Sequence, residues 1–168
     1  MLKLIRIIDR MNEMIGTGVS YLIIPLTLVM CYEIVMRYAF NAPTLWSWDI
    51  SMYLGGLMII LGGAYAHLYK GHVAVEFLLE KWQPKNQVLL QLILSPLIVF
   101  PIVILLWYGW EAAWQSVKVN EHFSSLWEPP IYPLRLAIPL GALLFLLQIV
   151  SRFMSDLIRY RELSREGK

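Results

Sequence analysis

The chain has 168 residues, 58% of them hydrophobic and 15% charged, against about 45–50% apolar and about 25% charged in a soluble globular domain. The apolar surplus calls for a membrane, and a formal net charge of +2 is too small to suggest a nucleic-acid partner. One cysteine, Cys31, excludes an internal disulfide and a cysteine-based metal cluster.

The chain opens amphipathic. Lys3, Arg6, Arg10 and Glu13 fall on one helical face, and Leu4, Ile8, Met11 and Ile15 on the other. A basic start before an apolar run resembles a signal peptide. The run is too long for that, and it lacks an A-x-A cleavage site. The reading is an interfacial helix over about residues 1–13 that feeds a membrane anchor.

Four apolar runs follow, each near the roughly 20 residues that cross a bilayer. The expected fold is all-α and integral to the membrane. It is a single four-helix domain over residues 1–168, with spans at about 14–37, 49–69, 86–110 and 132–153 and a cytoplasmic tail at 154–168. Pro25, Pro96, Pro101 and Pro139 lie inside these runs, where membrane helices tolerate proline. The last run is short, so Arg135 and Arg152 at its ends must snorkel toward the head groups.

Orientation follows from the basic residues. With the N-terminus inside, eleven of the 14 Lys and Arg residues fall on the cytoplasmic side, and only Arg37, Lys118 and Arg135 fall outside. The expected topology therefore has both termini in the cytoplasm. Trp46, Trp48, Trp107, Trp110, Trp114 and Trp127 gather at the outer ends, where tryptophan anchors in the head-group layer.

The first outer turn carries Glu33 and, four residues later, Arg37. That spacing pairs them on one helical face. Tyr38, Phe40, Trp46 and Trp48 surround the pair in sequence and are expected to shield it from water. In the second span Gly55, Gly56, Gly62, Gly63 and Ala66 share an arc of about 120°. Small residues let helix backbones approach closely. The arc either packs within this unit or forms a docking groove for another subunit. The inner loop holds His72 and Glu76, and Val75, Leu78, Leu79 and Trp82 share an apolar face, which predicts a short helix on the inner surface. The outer loop from Glu111 to Pro133 is stiffened by Pro129, Pro130 and Pro133 and is expected to form an ordered cap over the third and fourth spans.

No P-loop, nucleophile elbow or metal-spaced His/Cys cluster is present, and the spans hold almost no polar group. Two alternatives stay open on the residues alone. One is the membrane-anchor subunit of a respiratory dehydrogenase, whose haem needs two facing ligands, whereas His67 and His72 share one membrane edge. The other is a small autonomous exporter using Glu33, against which Arg37 stands one turn away.

Several motifs carry a resemblance. Glu33-x-x-x-Arg37-Tyr38-x-Phe40-Asn41, then Trp46-x-x-Asp49, resembles the start of the small, DctQ-type membrane subunit of TRAP (tripartite ATP-independent periplasmic) transporters. Gly71-His72-Val73-Ala74-Val75-Glu76 is similar to that family's inner-loop signature. Pro129-Pro130-x-Tyr132-Pro133-x-Arg135, followed by Ile138-Pro139-Leu140-Gly141 and Gln148, is similar to its fourth-helix entry. Asp49 stands where Glu is commoner and Glu76 where Asp is commoner, and both keep the charge.

The resemblance implies a scaffold subunit of the bacterial inner membrane, not an enzyme. Its partners would be a large membrane subunit, which carries the substrate and sodium sites, and a periplasmic binding protein that delivers an organic acid. It implies no cofactor and no catalytic, substrate or metal residue in this chain. Glu33, Arg37, Tyr38, Trp46, Asp49, Gly55, Gly56, Gly62, Gly63, His72, Glu76, Arg135 and Pro139 are then candidates for structural and interface roles.

Overall fold

The computed structural model describes residues 2–69 and 84–166. These form helices α1 (Leu2–Ser20), α2 (Ile23–Tyr38), α3 (Ser47–Leu68), α4 (Pro84–Lys118) and α5 (Tyr132–Glu166). Among the described residues there is no β-strand, only an isolated bridge between His122 and Pro130. Four stretches are long and apolar enough to cross a membrane: Lys3–Tyr38, Ser47–Leu68, Lys85–Lys118 and Tyr132–Ser164. The chain is thus an all-α membrane protein. His72, Glu76 and the surface helix expected around Val75 and Trp82 lie outside the described residues.

The break between α1 and α2 has a local cause. Pro25 carries no amide hydrogen, and its ring crowds the carbonyl four residues earlier, at Tyr21. The chain accommodates this with tighter bonds, from Leu22 N to Val19 O at 3.0 Å and from Ile24 N to Tyr21 O at 3.1 Å. Regular pairing resumes with Leu26 N to Leu22 O at 3.1 Å. The helix that begins at Leu2 therefore runs to Ser20, so the break falls inside the apolar run that starts after Glu13. At the far end of α2, Asn41 takes a positive φ of 52° and Ala42 N donates back to Met36 O at 2.9 Å, which turns the chain toward α3.

Helix α5 is the centre of the bundle. It packs against α4, α3 and α1, while α2 leans on α3. The buried positions are mostly small: Ala64 on α3, Ala113 on α4, and Ala137 and Ala142 on α5. Bilayer helices gain no hydrophobic drive from association, so close backbone approach and dispersion contacts must hold them. Large apolar side chains point outward instead, among them Ile59, Leu97, Phe100 and Trp107. A soluble monomer would not expose such a belt.

Helices α4 and α5 have 35 residues each, about 52 Å at the usual rise, so both outrun a hydrocarbon layer of about 30 Å. The polar end of α5 continues as helix beyond the apolar stretch.

Candidate functional site

Glu33 lies on the last turns of α2 and is only 9% exposed. Arg37, one turn on, donates to Oε1 from Nε at 3.0 Å and from Nη2 at 2.6 Å. The second oxygen, Oε2, accepts the Thr44 amide at 3.1 Å and also the Thr44 hydroxyl. The Ser47 hydroxyl, at the start of α3, lies beside the same carboxylate. One side chain thus ties the end of α2, the turn after it and the first residue of α3. Charge-assisted bonds of this kind are shorter and stronger than neutral ones.

The shielding expected from the aromatic residues is incomplete. Trp46 stacks on Tyr32, with ring centroids 5.7 Å apart. Tyr38, Phe40 and Trp48 are exposed, and the Arg37 side chain is 56% exposed. The carboxylate is buried while the guanidinium reaches outward. Thr44, which supplies two of the donors, is a residue the sequence reading passed over. The Asn-Ala-Pro turn just before it is the signal that the chain doubles back there.

Asp49 is also buried, at 1% exposure, in the first turn of α3. Its Oδ2 accepts the Ser125 hydroxyl at 2.6 Å. Around Ser125 the outer loop is ordered by Phe123 N to Pro129 O at 2.9 Å and Ile131 N to Glu121 O at 2.8 Å. Phe123 packs its ring on Tyr53 of α3, and Arg135 at the start of α5 pairs with Glu121 at 2.7 Å. Asp49 and Arg135 therefore pin one loop from two helices. Pro139 sits one turn beyond Arg135, against Gly109 of α4. Lacking an amide, it leaves the Arg135 carbonyl without its usual helical partner.

The glycines of α3 divide. A Cβ on Gly56 would lie 2.9 Å from Leu134, and one on Gly63 would lie 3.7 Å from Phe145, so both face α5. Gly55 and Gly62 face open space, with nothing within 4 Å. Together with exposed Met52, Ile59 and Ala66 they form an uncovered stripe along α3. The tightest approaches involve other glycines. At Gly141 of α5 a Cβ would meet the Ile60 carbonyl oxygen at 2.5 Å, and at Gly16 of α1 it would overlap the Tyr65 ring at 2.3 Å.

A polar cluster between α1 and α5 was not expected from the sequence. Gln148 Nε2 and Ser151 Oγ donate to Asp9 Oδ1 at 2.9 and 2.8 Å. Asn12 Nδ2 donates to Gln148 Oε1 at 2.6 Å. Asn12, Gln148 and Ser151 are each at most 2% exposed. Nearby, Arg152 donates to the His67 carbonyl at 3.1 Å, and the His67 ring packs on Phe145. Tyr69 donates its hydroxyl to Glu13 at 2.7 Å. Among the described residues no group of three His, Cys, Asp or Glu side chains could hold a metal ion.

These clusters lie at the two ends of the bundle. Between them the contacts are small and apolar. The groove between α4 and α5, about 540 Å³, is lined by Pro96, Val99, Phe100, Ile149 and Phe153 and is almost wholly apolar.

Comparison with protein families matches residues 26–159 to the model described as tripartite ATP-independent periplasmic transporters, DctQ component. The match runs from early α2 to the last turns of α5. No curated protein matches the chain.

Proposed function

We propose that this chain, which belongs to the DctQ component family of tripartite ATP-independent periplasmic transporters, carries a larger membrane subunit and binds no substrate itself. It is a transport component of the bacterial inner membrane and not an enzyme. The partners in this proposal are a large membrane subunit, which moves the substrate, and a periplasmic binding protein that delivers it. The cargo is an organic acid, and the coupling ion is sodium, bound by the large subunit.

One observation carries the proposal. Within each described cluster the polar side chains bond to one another, at the ends of the bundle, and do not line a path through it. Glu33 spends both carboxylate oxygens, and Asp49 and Asp9 one each, on neighbouring donors of this chain. The groove between α4 and α5 is lined by apolar side chains and by Ser95, whose hydroxyl donates to the Gln91 carbonyl, so it offers an organic acid no cation to pair with its charge. A transporter that works alone places ion and substrate ligands near the midplane, on broken helices.

The same proposal places both termini in the cytoplasm, on the strength of the basic residues. Single cysteines at Ser124 and Ser164, in a Cys31→Ser background, report on this directly. An impermeant thiol reagent added to intact cells with a permeabilised outer membrane is expected to label the first and spare the second. Labelling of both, or of Ser164→Cys alone, would contradict the topology.

A further inference from the structure

We propose that the outward face of α1 binds the head groups of anionic phospholipids, in the leaflet on the side of the N-terminus. The argument starts from how α1 distributes its residues. Ile5, Ile8, Asn12 and Gly16 recur at helical spacing and are buried against the bundle. Leu4, Ile7 and Met14 form a second stripe and are exposed, at 51%, 64% and 67%. Lys3, Arg6 and Arg10 form a third stripe beside it and are exposed as well. A helix with three such faces docks by one, enters the hydrocarbon boundary with the next and meets the head groups with the last.

The charges on α1 differ in their partners. Both carboxylates hold donors of the bundle: Asp9 accepts Gln148 and Ser151, and Glu13, itself exposed beside the basic residues, accepts Tyr69. The cations have no such partner among the described ion pairs, which are Arg37–Glu33 and Arg135–Glu121. Lys3, Arg6 and Arg10 follow one another at one-turn spacing, where like charges repel. They also begin at the positive end of the helix dipole, with no acidic residue in the first turn. Repulsion among these cations is relieved by an anion laid along the stripe.

Length gives the anion its source. The segment Lys3–Tyr38 has 36 residues, about 54 Å of helix, against about 30 Å of hydrocarbon. The hydrocarbon takes about 20 residues, α2 together with the last turns of α1, so the start of α1 with its three cations is left at the edge. A basic stripe bordered by bare apolar side chains at that depth faces lipid phosphates. This inference does not depend on the transport reading above.

The test uses the purified full chain in detergent, titrated with phosphatidylglycerol or with phosphatidylcholine, and counts bound lipid by native mass spectrometry. The wild type is expected to prefer phosphatidylglycerol about tenfold. A K3Q/R6Q/R10Q variant is expected to lose most of that preference, and K3R/R6K/R10K to keep it. Equal binding of the two lipids by the wild type would overturn the proposal. So would an unchanged preference in the neutralised variant. Displacement of phosphatidylglycerol by inorganic phosphate would make the ligand a soluble anion and overturn it too. Loss of a co-expressed large subunit from the neutralised variant, with lipid preference intact, would assign the stripe to an acidic protein segment instead.

Discussion

Gly141→Leu is expected to leave no folded chain in the membrane, while Gly62→Leu inserts and folds as the wild type does. The two sites look alike in sequence, since each is a glycine inside an apolar span. They differ in what stands opposite. At Gly141 a Cβ would meet the Ile60 carbonyl oxygen at 2.5 Å. That oxygen belongs to the backbone of α3 and cannot rotate away. The whole of α3 would have to move from α5, and with it the Leu134 and Phe145 contacts to Gly56 and Gly63. Overpacking a core costs about 1–3 kcal/mol when side chains can adjust, and occasionally more. Here they cannot, so the loss should reach the top of that range or beyond. At Gly62 nothing lies within 4 Å. Size-exclusion profiles and thermal unfolding in detergent would separate the two variants. Equal stability of both would remove close α3–α5 packing from the account. If the open stripe of Gly55, Gly62 and Ala66 seats the large subunit, Gly62→Leu should lose that subunit on purification without losing its own fold.

The second large effect is expected at Glu33. In Glu33→Gln the amide must turn its NH₂ either toward the Arg37 guanidinium or toward the Thr44 amide and hydroxyl, and both are donors. One side of the knot then sets donor against donor. Arg37→Gln is milder. It leaves the carboxylate its two bonds from Thr44, and the side chain removed is more than half exposed, so water can take its place. Exposed ion pairs contribute little for that reason. The expected order in assembled complex is wild type, then Arg37→Gln, then Glu33→Gln with a severalfold loss. The double variant should fall near Glu33→Gln, not at the sum of the two losses, because the two residues share one set of bonds. A proton carrier would behave otherwise. Glu33→Gln would then assemble normally and fail only in uptake.

Much of this was legible in the sequence for plain physical reasons. Long apolar runs fix four crossings, because few structures other than a helix satisfy backbone groups in lipid. The four-residue step from Glu33 to Arg37 makes them neighbours on one helical face, within reach of each other. The limits were equally physical. Thr44 is eleven residues from Glu33 and meets it only because the chain reverses at Asn41 and Pro43. Asp9 and Gln148 lie 139 positions apart, and each reads locally as an ordinary polar residue near a membrane edge. The glycine arc on α3 gave the right helix but not the tightest contact. Which side of α3 meets α5 depends on Ile60 and Gly141 together, and a single-helix pattern holds no record of its neighbour. Pro25 lies inside an apolar run that sequence alone treats as one span, yet it marks the change from α1 to α2.

The claim at the centre is that this chain supports transport and does not perform it. Purified chain in liposomes, under an imposed sodium gradient and with an organic acid presented by its binding protein, is expected to take up nothing above empty vesicles. The same vesicles prepared with the co-purified large subunit are expected to accumulate the acid. Sodium-driven uptake by this chain alone would contradict the account.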